Sequence, residues 1–332
     1  MATDRLMNAL GIEYPILQAP IGSMAGVELA AAVTNAGGLG SVALTWTPPE
    51  NAAQTVHSIR AQTQRPFFVN FVLAFPPASL DAALEAGAPI VTFSWGQPGK
   101  LVERVHRSRA LVGVQVGTCE GAKLARDAGA DFIICQGIEA GGHVQSTIPL
   151  LTLVEQVSHE CRNLPIIAAG GLADGDDIAQ AMKAGADGAM LGTRFVASVE
   201  SRAHDLYKQA LVNATSQDTL LTTCFSGGWP GAVHRVLRNP ALDAWEAAGC
   251  PPVGARPGEE EVIAENGLGK VIVRYDDTPA ASDMGGQLLD CVQYAGLGVG
   301  KIHTIRTASE LIAELWTGYC RARDEHEAMP KA

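Results

Sequence analysis

The chain has 332 residues, of which 47% are hydrophobic and 18% charged, enough apolar content to fill the core of one large domain or of a domain carrying an insertion. A formal net charge of −11 disfavours a nucleic-acid partner, because phosphate backbones are held by clustered Lys and Arg, and it leaves a small molecule as the better-matched ligand. The opening "MATDRLMNALGIEYP" has no basic-then-apolar leader, and no run of about 18 apolar residues occurs, so neither export nor a membrane span is expected.

For nearly two hundred residues, short apolar runs alternate with amphipathic stretches rich in Ala, Leu and Glu, the pattern of βα units around parallel strands. Strands are expected at 15 to 20, 38 to 44, 66 to 73 and 89 to 95, and again at 111 to 116, 131 to 136, 165 to 170 and 188 to 192. Four of the intervening helices end alike, in "AVTNAGG", "ALEAGAP", "LARDAGAD" and "AMKAGADG", each placing a Gly where a left-handed C-cap residue is needed. Eight such units predict an α/β protein, a TIM-type (β/α)8 barrel. Beyond "MLGTRFVAS" the pattern changes. Residues 201–285, with "SGGWPGAVHR" and "GCPPVGARPGEEE", read as a smaller, mainly helical cap or insertion on a barrel of residues 1–200. Residues 286–332 read as a segment whose last helix, "ASELIAELWTGYCRAR", returns to the barrel. Seven cysteines without a CxxC pair read as reduced thiols of a cytoplasmic protein.

A doubly wound open sheet competes with the barrel, and glycine placement separates them. A dinucleotide fingerprint GxGxxG should follow the first strand, but "APIGSMAG" lacks that spacing. Barrels commonly hold phosphate with the loops after strands seven and eight. Here those loops are "AAGGLADGDDI" and "LGTRF": Gly170 and Gly171 let backbone N–H groups approach an anion, Asp174 can cap the next helix, and Gly192 with Thr193 adds a second amide set and a hydroxyl.

The other strand ends are polar but almost uncharged. Gln18, Asn70, Ser94, Gln115 and Gln136 suit a planar heteroaromatic ring better than a metal or a polyanion. The segment "QGIEAGGHVQS" (136 to 146) offers little side chain to pack, so its glycines mark a place where backbone comes close to something, just before His143.

With these residues in view, the chain resembles the class I nitronate monooxygenases, FMN-dependent barrel enzymes. The likeness runs nearly full length, through "PILQAPIGSMAGVELAAAVTNAGGLGSV", "FFVNFVL", "CQGIEAGGH", "PIIAAGGLADGDDIAQAMKAGADGAMLGTRFVAS" and "YAGLGVGKI". The resemblance implies that Pro20, Ile21 and Gly22 lie along the flavin ring and that Asn70 and Gln136 bond its polar edge, with Gln115 a further cofactor contact. It implies that Gly170, Gly171, Gly192 and Thr193 hold the FMN phosphate, and that His143 is the active-site histidine, projected toward a substrate stacked on the ring. The implied reaction uses O2 to convert an alkyl nitronate to a carbonyl compound and nitrite, with the imidazole either orienting the anion or removing the α-proton of a neutral nitroalkane. The flavin-dependent enoyl-acyl-carrier-protein reductases and an NADH:quinone reductase are relatives with the same phosphate turns; a barrel retaining flavin only as a structural or sensory ligand is the reading from a different class. The sequence departs from many family members at "YAGLG", where a Gln often follows the Gly. Homo-oligomerisation is left open.

Other constellations carry less. Glu139 and His143 are four apart, but two glycines between them disfavour a helix and no HExxH follows, so no metal is expected. Lys100, Lys123 and Lys183 fall in helical stretches, which removes a Schiff-base lysine. Cys135 sits inside the sixth strand as a small buried residue rather than a nucleophile. His234, Arg235 and Arg238 of "WPGAVHRVLRN" are read either as the cap side of the pocket or as a solvated basic face.

Overall fold

A computed structural model describes residues 2–328; the last four residues of the expected C-terminal segment lie outside it. In chain order the first nine strands are β1 (Ile16–Gln18), β2 (Ser41–Ala43), β3 (Phe68–Val72), β4 (Ile90–Ser94), β5 (Leu111–Val116), β6 (Phe132–Gln136), β7 (Gly142–His143), β8 (Ile166–Ala169) and β9 (Gly188–Leu191). All except β7 form one parallel sheet in the order β1-β9-β8-β6-β5-β4-β3-β2, and each falls within an expected run. The sheet closes on itself. Leu17 bridges to Leu39 just ahead of β2, with Gln18 N donating to Leu39 O and Leu39 N to Ile16 O, both at 3.0 Å.

Period-two alternation explains both the core and the site. Phe68, Ile90, Phe132, Ile134, Ile167 and Met190 point inward and fill the lower barrel, where Leu6 and Leu10 of the helix Ala2–Leu10 plug the bottom. Gly113 makes room there, since a Cβ on it would sit 2.2 Å from the Phe132 ring. Two residues further along the same inward rows, four in β4, come Asn70, Gln115, Gln136 and Ser94 at the C-terminal mouth. Outward residues such as Val69, Phe71, Val91, Phe93, Val112 and Val114 pack under the helices. The C-terminal helix Ala308–Ala328 lies against the helix Gly175–Lys183 so closely that a Cβ on Gly175 would be 2.2 Å from Gly318 C. It also packs against the helix Val27–Asn35.

The cap differs from the mainly helical picture. It holds the helices Asp205–Asn213 and Pro240–Ala247, but also β10 (Thr219–Thr222), β11 (His234–Leu237), β12 (Val262–Glu265), β13 (Val271–Val273) and β14 (Gly285–Gly286). Strands of two to four residues are too short for alternation to declare itself in sequence. They form two antiparallel sheets, β13-β12-β14 and β10-β11-β7. The second reaches into the barrel mouth, pairing His143 with His234. A histidine that no local pattern accounts for is therefore a strand residue by virtue of a partner ninety residues away. Among the described residues no helix is long and apolar enough to cross a membrane.

Candidate active site

A cavity of about 850 Å³ opens at the C-terminal ends of the barrel strands, within the usual range for small-molecule sites. Pro20, Ile21, Gly22, Asn70, Gln115, Gln136, His143, Gly170, Gly171, Gly192 and Thr193 all line it. Gln18 does not. It is fully buried, its Oε1 accepts from Ser41 N at 2.8 Å and its Nε2 donates to Ala19 O, so it serves the β1–β2 closure rather than a ligand.

The two glycine turns have the backbone an anion site requires. Gly170 and Gly171 sit at φ +118° and +71°, where an L side chain is strained, and a Cβ on Gly171 would strike Glu139 Cβ at 2.7 Å. The N–H groups of Gly170, Gly171, Gly192 and Thr193 find no acceptor among the described residues. Thr193 Oγ1 accepts from Gly296 N at 3.0 Å, which leaves its O–H proton to donate. Asp174 caps the helix after the first turn in a reciprocal capping box with Asp177.

His143 is held by its backbone. Gln136 Nε2 donates to His143 O at 3.1 Å while Gln136 Oε1 accepts from Gln145 N at 3.0 Å, and Val144 N donates to Val233 O at 2.9 Å. Gln136 thus spends its amide positioning the histidine strand. The neighbouring Gln145 bridges Gln115 O and the N–H of Trp95, a residue in left-handed backbone at φ +56°.

The glycines ahead of His143 answer to neighbouring chain. A Cβ on Gly137 would meet Leu150 Cβ at 2.5 Å, and one on Gly141 would lie 2.4 Å from Gly296 N; only Gly142, at φ +74°, faces open space. Gly296 belongs to "YAGLG", and Leu297 N donates to Glu139 O at 3.0 Å, so the two segments are stitched backbone to backbone. Glu139 turns away from His143 to accept from Leu150 N at 3.0 Å, and no group of three His, Cys, Asp or Glu among the described residues could hold a metal ion.

The imidazole of His143 sits among rings of which the sequence had singled out only His234. The Trp229 ring stacks on it at 4.6 Å and 28°, with His234 at 5.4 Å, Tyr294 at 5.6 Å and Trp95 at 6.4 Å. His143 Nε2 is buried without a hydrogen-bond partner. Burial first, and the nearby His234 second, lower its pKa to about 4, so the ring is neutral and available as a base through the physiological range. His234 is fixed differently: Nδ1 donates to Ala232 O at 2.9 Å and Nε2 accepts from Phe225 N at 3.3 Å, which satisfies both nitrogens and holds it neutral. An unpartnered buried nitrogen costs roughly 1–3 kcal/mol. An aromatic stack returns about 0.5–1.5 kcal/mol. The stack over His143 therefore does not by itself offset the orphaned nitrogen, and a ligand able to hydrogen-bond Nε2 can displace it.

Of the "HRVLR" residues, none lines the cavity. His234 is buried beneath His143, Arg235 is buried with Nη2 donating to Ile138 O at 3.0 Å, and only Arg238, paired with Asp243 and Glu246, is a solvated basic residue. Cys135 is fully buried and its thiol is pushed well up by desolvation, consistent with a packing role. Lys123 and Lys183 are in helices, and Lys100 precedes one. The formally charged residues of the lining are Arg202, Lys270 and Asp277, all from the cap.

The depressed histidines make a pH prediction. Between pH 6.5 and about 4 the unfolded chain binds a proton at His143 that the folded chain refuses, so stability is retained above 6.5 and lost as pH falls toward 4, by up to about 3 kcal/mol for this group. In thermal melts from pH 7.5 to 4.5, wild type should lose stability more steeply toward the acidic end than His143→Asn. Parallel curves would refute the assignment.

The family model described as nitronate monooxygenase matches residues 3–83 and 77–318. A nitronate monooxygenase of Pseudomonas aeruginosa is 33% identical over 307 residues, covering 77% of this chain and 85% of that protein. Among solved structures, FabK from Thermotoga maritima superposes with a TM-score of 0.80 at 29% identity, covering 97% of this chain and 98% of the other. A nitroalkane oxidase from Streptomyces ansochromogenes gives 0.79 at 30% identity, covering 97% and 99%. A family match across most of the chain, joined to a relative 33% identical over 77% of it, leads to one conclusion: the chain belongs to the nitronate monooxygenase family of oxidoreductases.

Proposed function

We propose that the protein oxidises alkyl nitronates with O2, using FMN held at the barrel mouth, and releases a carbonyl compound and nitrite. What carries this reading is the presence in one cavity of free amides on two adjacent strand-end turns and a neutral histidine with an unpartnered nitrogen. The donor set fits the cofactor: Gly170, Gly171, Gly192 and Thr193 would hold its phosphate, Pro20, Ile21 and Gly22 would lie along its ring, and Asn70 and Gln115 would bond the ring's polar edge. Gln136 lines the same cavity, but its amide is engaged with residues 143 and 145, so its part is to fix the histidine strand. One-electron chemistry between the nitronate and O2 is what FMN supplies when bound. The chain's own contribution is position and proton handling. A neutral His143 orients the nitro oxygens of a nitronate through an N–H, or accepts the α-proton of a nitroalkane.

A second reading, an FMN-dependent NAD(P)H reductase of the enoyl-acyl-carrier-protein or quinone type, is favoured by Arg202 and Lys270, cations on the cavity lining that a dinucleotide's phosphates could meet. One experiment separates the two. The purified protein should show a bound flavin spectrum, then consume oxygen and release nitrite with ethyl nitronate in the absence of NADH. Rapid anaerobic bleaching by NADH with no response to nitronate would establish the reductase instead.

A further inference from the structure

We infer that Trp229 is the specificity-determining residue of this site: it covers the imidazole of His143 and admits substrates by their width. The inference rests on the reading that substrate meets His143.

Trp229 stands where a substrate touching the imidazole would lie, its ring nearly parallel to His143 at 4.6 Å. Its own flanks are aromatic: Trp95 at 4.5 Å and Phe75 at 5.3 Å, both edge-on. Together these rings form an apolar wall with no side-chain charge of its own, so a molecule entering beside it exposes an alkyl or aryl flank to the wall while its anionic end faces the imidazole. The loop that carries Trp229 is built to move as a unit. Its two ends are tied down, by Ser226 N donating to Tyr275 O and by Val144 N donating to Val233 O. Between these ties lies "GGWPGA". Gly231 sits at φ +78° with open space where a Cβ would be, and Gly227 and Gly228 are exposed. Inside the loop, Ala232 N donates to Trp229 O at 3.3 Å, closing a turn that carries the tryptophan.

The rings also account for the unpartnered Nε2, which is sealed from water by the cage rather than satisfied by it. A substrate that bonds this nitrogen gains what the cage cannot offer, so Trp229 yields to it and then closes on its flank. A narrow alkyl group leaves the wall nearly in place; a broad ring forces it outward.

The test uses Trp229→Ala, with Trp229→Phe as the conservative partner and Trp229→Leu should the alanine variant fail to fold, each checked by thermal melting. Two readouts are taken. Carbethoxylation of His143 by diethyl pyrocarbonate, located by peptide mass mapping, reports cover without reference to turnover; it should be at least tenfold faster in the alanine variant and near wild type in the phenylalanine variant. The ratio of kcat/KM for cyclohexyl nitronate to that for ethyl nitronate should rise at least tenfold in the alanine variant and return toward wild type with phenylalanine. Equal modification rates, or an unchanged ratio, overturn the inference. If no form of the protein consumes nitronates, the proposed function is what fails, and the modification rates alone decide whether Trp229 covers the histidine.

Discussion

On the proposed function, His143→Ala should lower kcat/KM for nitronates by about 10²- to 10⁴-fold, the span a positioned acid or base contributes, while the protein still folds and binds flavin as wild type does. The reasons are local. The His143 side chain makes no hydrogen bond that holds the fold, and its backbone, fixed by Gln136 and Val233, is unaffected by truncation. Removing an unpartnered buried nitrogen also relieves a desolvation cost, so the melting temperature should not fall by more than the loss of the Trp229 stack allows. Steady-state oxygen uptake, flavin absorbance and a thermal melt on one preparation check all three statements. Undiminished turnover would remove His143 from the chemistry. Loss of flavin together with activity would mean that the residue is structural.

Gly141→Ala should have the opposite profile, damaging the fold and the site together. The added Cβ would sit 2.4 Å from Gly296 N and 2.6 Å from Ala295 C, and backbone cannot swing aside as a flexible side chain can. Overpacking of this kind costs about 1–3 kcal/mol. For a domain this size that corresponds to a fall in melting temperature of roughly 2–4 °C per kcal/mol. The strain falls on the stitch between Glu139 and Leu297 and reaches His143 two residues on, so kcat should drop as well. Gly142→Ala serves as the control: it faces open space, and only its φ of +74° penalises a side chain. An alanine at 141 that melts with wild type would show that the two segments are not in contact.

Much of the site could be read from the chain because its features are local in origin. A Gly-Gly pair after a strand signals a left-handed turn with exposed amides whatever surrounds it, and Gly170 and Gly171 are just that. The inward polar row was accessible because alternation on a strand fixes which side chains share a face, although alternation could not say that Gln18 is consumed in closing the barrel while Asn70 is left at the mouth. The glycines before His143 could be recognised as a close approach, but not what approaches: Leu150 and Gly296 arrive there from other parts of the chain. Trp229 and Tyr294 carried no signal. Their proximity to His143 arises from the pairing of β7 with β11 and from the 3-10 turn Leu297–Lys301 that follows Tyr294, across separations of about ninety and one hundred and fifty residues.

By itself, then, the sequence determined the barrel, the placement of its strands and the glycine turns at their ends, since these follow from periodicity and from glycine's freedom at positive φ, properties each segment carries with it. Only the tertiary structure decided the state of His143, neutral and sealed under a tryptophan, because desolvation and ring stacking depend on which distant segments exclude water from the same few ångströms.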